Sequence, residues 1–278
     1  FNFDNLAVIF CSLLFALGFF ADLKIITSYK KRLLGQFFLI FIMFYLSEDI
    51  SIVTRLEIVD NLMNYNLTRI LLCTFFFMVL INGFNFIDGT NCLCPLNLLI
   101  VSIFTISVIE FLNIRYMNNE LIILIIALLI FVIFNFFGKN FLGDGAVYGL
   151  SFLLGYILLK VSLIDNSISP YFVANLLWYP AFENLFSILR RSFFKTNNYL
   201  PDNDHLHQLI FKFLKKKDIS KKNFLLSSLV GLSINSVLLL SYLIGINFYY
   251  HTMIQVVLII FGIFLYLVSY FLLKKKIS

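Results

Sequence analysis

Long, almost unbroken apolar runs decide what this chain can fold into. Stretches such as Glu120–Phe137 and Tyr249–Leu273 approach or exceed the roughly 20 apolar residues that cross the hydrocarbon core of a bilayer. They show neither period-2 alternation nor a helical stripe backed by polar positions. Composition agrees. Of 278 residues, 61% are hydrophobic and 13% charged, against about 45–50% and about 25% in a soluble domain. An open strand edge cannot be satisfied in lipid, so the spans are expected to be helices.

Nine candidate spans follow: Asn5–Phe20, Leu33–Leu46, Thr68–Ile81, Pro95–Phe111, Glu120–Phe137, Gly145–Ile164, Ser169–Leu189, Phe224–Ile244 and Tyr249–Leu273. The expected fold class is all-α, a polytopic membrane protein with about nine transmembrane helices in one domain, residues 1–278. The longest polar stretch, Arg190–Asn223, is too short for a domain and is expected to be a loop with a short amphipathic helix.

Lysine and arginine favour cytoplasmic loops. With nine spans, 17 of the 21 basic residues fall on one side. Only Arg55, Arg69, Arg115 and Lys160 fall on the other. The N-terminus is therefore expected outside and the C-terminus in the cytoplasm. The formal charge of +6 suits anionic lipid head groups or an anionic substrate and is not read as nucleic-acid binding. Cys11, Cys73, Cys92 and Cys94 read as small buried residues, and Cys92-Leu-Cys94 lacks a second ligand pair for zinc.

The informative polar residues all lie on the basic side. One loop holds Asp22, Arg32 and Gln36. A second holds Asn82, Asn85, Asp88-Gly89 and Asn91. A third holds Phe141, Gly143, Asp144 and Gly145. A fourth follows Glu183 and holds Arg190, Arg191, Pro201-Asp202, Asp204, His205 and His207. Singly, each has a plain reading. Asp-Gly pairs form turns, Asp144 could cap a helix, and Lys215–Lys217 is a solvated face. Together, carboxylates, amides, arginines and histidines at a membrane surface suit a magnesium-bridged diphosphate.

The stretches Asn82–Asn91 (NGFNFIDGTN), Phe141–Gly145 (FLGDG) and Pro201–Gln208 (PDNDHLHQ) resemble the polyprenyl-phosphate N-acetylhexosamine-1-phosphate transferases, glycosyltransferase family 4. Ala21-Asp22 with Arg32–Gln36, and Tyr179–Glu183 with Arg190-Arg191, match as well, in the family's order. The resemblance implies transfer of a sugar-1-phosphate from a UDP-N-acetylhexosamine to undecaprenyl phosphate, releasing UMP, with Mg²⁺ (or Mn²⁺ in its place). It implies a multi-pass protein of the bacterial inner membrane with a cytoplasmic active site, surrounded by membrane lipids and compatible with a homodimer. By analogy Asp144 is the metal ligand, and Asp22 sits where the lipid phosphate arrives. Asn82, Asn85 and Asp88 line the nucleotide-sugar site. Phe141 stacks on the uracil, which Asn91 faces. His205 and His207 hold phosphates, and Arg190 and Arg191 join the substrate-binding set. The histidine segment looks like the branch using UDP-N-acetylglucosamine or a related amino sugar.

The family has ten or eleven spans, and this chain begins at Phe1, so loss of the first one or two is expected. Three departures stand out: Ala21 replaces the first of two adjacent aspartates, Asn91 replaces the last aspartate of its motif, and Cys92–Pro95 replaces a glycine-rich continuation. They leave a catalytically impaired family member as one alternative. A transporter is the other, and it is disfavoured because the ionisable groups gather at one surface.

Overall fold

The computed structural model describes residues 5–47, 53–114, 118–193, 204–220 and 222–277. Pro201 to Asn203 of the histidine motif, and the basic residues Arg115, Lys195 and Lys221, lie outside the described residues. Helices account for nearly all of the rest. They are α1 (Asn5–Asp22), α2 (Tyr29–Leu46), α3 (Glu57–Met63), α4 (Asn66–Ile87), α5 (Cys94–Phe111), α6 (Asn118–Phe136), α7 (Gly143–Ile164), α8 (Pro170–Phe193), α9 (Leu206–Lys216), α10 (Asn223–Asn247) and α11 (Thr252–Ile277).

Seven of these, α1, α4, α5, α6, α7, α10 and α11, are long and apolar enough to cross a membrane. Helix α2 is as long as α1 but opens with Lys30, Lys31 and Arg32, and α8 carries Asn175, Glu183 and Asn184 in its middle. Helices α3 and α9 are too short. The protein is thus an all-helical, multi-pass membrane protein.

Helix α7 is the centre of the bundle. Two-thirds of its apolar window is buried, whereas α6 and α11 leave most of theirs outward. Helix α1 lies along α7 at unusually close range. A Cβ on Gly18 would stand 2.6 Å from the Cα of Gly145, and one on Gly145 would stand 3.0 Å from the Phe19 nitrogen. Gly145 and Gly149 form a small-residue pair one turn apart, the usual means by which membrane helices bring their backbones together. Helix α4 packs on α7 through Phe77 and Phe152. It also packs on α8 through Asn184, whose amide donates to the Val79 carbonyl at 3.0 Å.

The connections sort by end. At one end Arg55 donates to Thr252 Oγ1 at 2.8 Å and to the Asn166 carbonyl at 3.0 Å, tying the α7–α8 and α10–α11 turns together. At the opposite end lie the C-termini of α1 and α4 and the N-termini of α2, α7 and α9. Every described residue singled out in the sequence for chemistry lies on or near that end.

The close α1–α7 contact predicts a measurable asymmetry. Gly18→Ala forces backbone apart at a cost of about 1–3 kcal/mol, lowering the unfolding midpoint in detergent. Gly149→Ala meets its nearest atom at an ordinary 3.4 Å and leaves the midpoint nearly unchanged. Equal midpoints for the two variants would contradict this packing.

Candidate active site

Asp144 sits in the first turn of α7, where backbone N–H groups have no partner within the helix. Asp22, from the end of α1, supplies one. Its carboxylate accepts from the Asp144 N–H at 2.9 Å and the Gly145 N–H at 3.1 Å. A carboxylate at a helix N-terminus is also favoured by the helix dipole. Gly143, at φ +72°, precedes the cap, and a Cβ there would come within 2.8 Å of Asp22 Oδ2. The aspartate that caps α7 is therefore Asp22, and Asp144 is left to point elsewhere. Its Oδ1 accepts from Asn85 Nδ2 at 2.7 Å and its Oδ2 from Tyr148 OH at 3.3 Å. Arg32 forms an ion pair with the same Oδ2. Three helices, α2, α4 and α7, thus meet at one carboxylate.

Asn82 and Asn85 belong to the last turns of α4, not to a loop as the sequence suggested. Their spacing of three puts both on one face. Asn82 donates to Gln36 Oε1 at 2.9 Å. Asp88 ends the helix. Burial, reinforced by the charges on Asp144 and Asp22, pushes its carboxyl up to about 7.

The histidine segment closes the other side. The Gln208 side chain accepts from the His205 N–H at 3.2 Å, which starts α9. His205 Nδ1 lies 2.8 Å from Glu183 Oε1, and the His205 and His207 rings stack with centroids 5.5 Å apart. His207 is buried against Gly89, where a Cβ would stand 2.6 Å from its Nε2. The Asp88-Gly89 pair is thus more than a turn, because the glycine makes room for the histidine.

Beside Asp88 and Gln208 lies a cleft of about 610 Å³ whose lining also includes Asn91, Phe141, Lys212 and Lys215, but not Asp22, Asn82, Asn85, Asp144, His205 or His207. Phe141 is 75% exposed, with its ring available to a ligand. Asn91 is pinned by its N–H to Ser227 Oγ at 2.8 Å. Arg190 instead braces the scaffold. It donates to Tyr270 OH at 2.8 Å and to the Asp204 carbonyl. Arg191 follows it, half-buried at the end of α8, and neither arginine is among the residues lining the cleft. Cys92 occupies the left-handed region at φ +61°. Its N–H donates to Asn135 Oδ1 at 2.6 Å and its carbonyl accepts from Asn235 at 3.0 Å. The backbone shape that suits glycine is therefore kept here by side-chain clamps.

The sequence places Arg32 and Glu183 in motifs without giving them roles, leaves Tyr148 and Lys212 without one, and presents Lys215 as part of a solvated face, whereas Lys215 lines the cleft. Tyr148 was discoverable, being four residues after Asp144 on one helix face. The partnership of Arg32 with Asp144 bridges 112 residues and has no local signal.

A cleft lined by Asp88, Asn91, Gln208, Lys212 and Lys215 thus opens at one end of a helical bundle. The family model of glycosyl transferase family 4 matches residues 5–162, more than half of the chain, and the protein belongs to that family. It is a membrane transferase of sugar phosphates. The match runs from α1 through nearly all of α7. It takes in Asp22, Arg32, Asn82, Asn85, Asp88 and Asp144, and stops before Glu183 and the histidines. No curated protein matches the chain.

Among the described residues, no three His, Cys, Asp or Glu side chains converge closely enough to hold a metal by themselves. Mg²⁺ needs only one or two carboxylates, with phosphate oxygens and water completing its shell, and Asp88 and Asp144 are the carboxylates that could offer them here. Asp88, Asp144 and Asp22 are near enough to raise the proton affinity of Asp88, and an added cation would relieve that repulsion.

The shift at Asp88 carries a sign. The folded carboxyl at about 7 lies above its ordinary value of 3.8. Folding therefore favours the protonated form, and stability falls as pH rises between those values. In EDTA, Asp88→Asn is expected to raise the unfolding midpoint relative to the parent at pH 8 and much less at pH 4. A pH-independent difference would refute the shift.

Proposed function

We propose that the protein transfers N-acetylhexosamine-1-phosphate from a UDP-sugar to undecaprenyl phosphate, releasing UMP, as the first membrane step of a cell-envelope polysaccharide. The observation that carries the reading is the bonded cluster of Asp22, Arg32, Asn85 and Asp144 close to Asp88, which itself lines the cleft with Phe141. Family membership supports the reaction class. The amino sugar proposed is N-acetylglucosamine or a close relative, on the resemblance of the Asp204–Gln208 segment.

The proposed topology has nine spans, α1, α2, α4 to α8, α10 and α11, in the bacterial inner membrane. The cleft faces the cytoplasm, where nucleotide sugars are made. The 17-to-4 division of basic residues supports this orientation.

In the reaction an oxygen of the lipid phosphate attacks the sugar-bearing phosphorus. A new phosphoanhydride bond forms, the bond to UMP breaks, and the electron pair leaves on the UMP phosphate. Catalysis of this kind is mainly positioning and charge stabilisation. Phe141 offers an exposed ring to the uracil, and Asn91 a main chain held at fixed distance from it. Asn82 and Asn85, bonded to Gln36 and Asp144, would back the nucleotide-sugar site. Lys212 and Lys215 bring positive charge to the cleft, and His205 and His207 would hold phosphates. Asp22, by capping α7, fixes the turn that the acceptor phosphate would approach. Asp144 would hold Mg²⁺, which when bound neutralises charge on the diphosphate.

The test uses the full-length protein in detergent with Mg²⁺, undecaprenyl phosphate and radiolabelled UDP-N-acetylglucosamine. Labelled lipid is expected, and it should vanish in Asp144→Ala. Absence of lipid product with every nucleotide amino sugar tried would overturn the proposal.

A further inference from the structure

We propose that Glu183 is the positioning residue for His205, and that α11 serves as the brace that holds it. Glu183 lies on α8 with 1% of its surface exposed, as buried as any carboxylate in a membrane bundle can be. Such a group is rare in a span and is expected to pair. It has two partners from two directions. Oε1 is 2.8 Å from His205 Nδ1, and Oε2 accepts from Tyr266 OH at 2.8 Å.

The chemistry of those contacts sets the state of the imidazole. A carboxylate in its anionic form only accepts hydrogen bonds, and in the proposed arrangement the hydrogen between Glu183 and His205 sits on Nδ1. The ring is then held in one tautomer and one orientation, with Nε2 as its other edge. A carboxylate does the same for the histidine of hydrolase triads and for metal-bound histidines. Phe86, 5.3 Å away between ring centroids, and the stacked His207 keep the ring from turning.

Helix α11 makes the arrangement rigid. Tyr266, Tyr270 and Lys274 recur every four residues along one of its faces. Tyr266 holds Glu183, Tyr270 accepts from Arg190 at 2.8 Å, and Lys274 reaches Asp204 at 3.3 Å. The three rungs clamp α8 and the residue just before His205. They lie beyond the segment matched to the family, so this chain's own C-terminal helix completes the histidine side of the site.

The proposal rests on the transferase reading, and two measurements separate them. In ¹⁵N-histidine spectra of the purified protein, His205 is distinguished from His207 and His251 by a His205→Asn control. It should show a protonated Nδ1 that Glu183→Leu abolishes and Tyr266→Phe weakens. In the transfer assay, Glu183→Leu should lower kcat roughly 10- to 100-fold with little change in the donor KM, and Glu183→Asp should recover part of the loss. An unchanged His205 spectrum in Glu183→Leu overturns the proposal, as does a kcat within about twofold of the parent. If the parent transfers no sugar, the transferase reading fails while the spectrum still decides the role of Glu183.

Discussion

The Asp22 carboxylate on the first N–H groups of α7 is the interaction on which the rest depends. Helix α7 is the most enclosed span, and its N-terminus is where Asp144 projects. Loss of this N-cap would cost about 0.5–2 kcal/mol, with the Asp144 N–H exposed and the Gly145 N–H half-buried. Asp22 removes that cost and also fixes the register of α1 against α7. The Gly18–Gly145 contact can form only in that register. Once α1 and α7 are locked, α2 and α4 meet Asp144 from either side with Arg32 and Asn85. Fold and site are thus set by one contact.

A second consequence concerns Ala21. The family's paired aspartates leave only Asp22 here, and Asp22 satisfies two backbone donors by itself. The cap needs one carboxylate, so the loss of the neighbouring acid leaves the architecture intact. The change at Cys92 is similar. A non-glycine residue in the left-handed region costs about 1–2 kcal/mol. Asn135 and Asn235 hold its main chain on both sides, and Asn97 in turn bonds Asn235 at 3.2 Å. These buried amides replace freedom of the backbone with fixed partners.

Much of the fold was legible because the apolar runs are long. Among the described residues, nine helices of 18 residues or more overlap the apolar runs, seven of them long and apolar enough to cross a membrane, and the described motif residues lie at one end of the bundle. The boundaries were less legible where a polar residue belongs to a helix. Asn82 and Asn85 read as loop residues because amides usually avoid membrane spans, yet their partners Gln36 and Asp144 let α4 continue to Ile87. The contacts that give the site its geometry could not be read locally. Arg32 with Asp144 and Glu183 with His205 and Tyr266 are fixed by how distant helices pack. A carboxylate in α8 reads only as a polar residue in an apolar run until α11 is laid against it.

The charge pattern around the cleft follows from the same packing. One wall carries Asp88, with Asp144 and Asp22 close enough to disfavour its ionisation. The opposite wall carries Lys212 and Lys215, one turn apart on α9. A polyanion entering from solvent is attracted by the lysines and repelled by the acids, so its phosphates cannot settle on the acidic wall unaided. Arg32 cannot supply all the missing charge, because it is already engaged by Asp144. Acids gathered beside the cleft repel a phosphate, and a cation entering with it would relieve that repulsion. On the proposed reaction, the acidic wall is where a divalent ion accompanying the phosphate donor would be held.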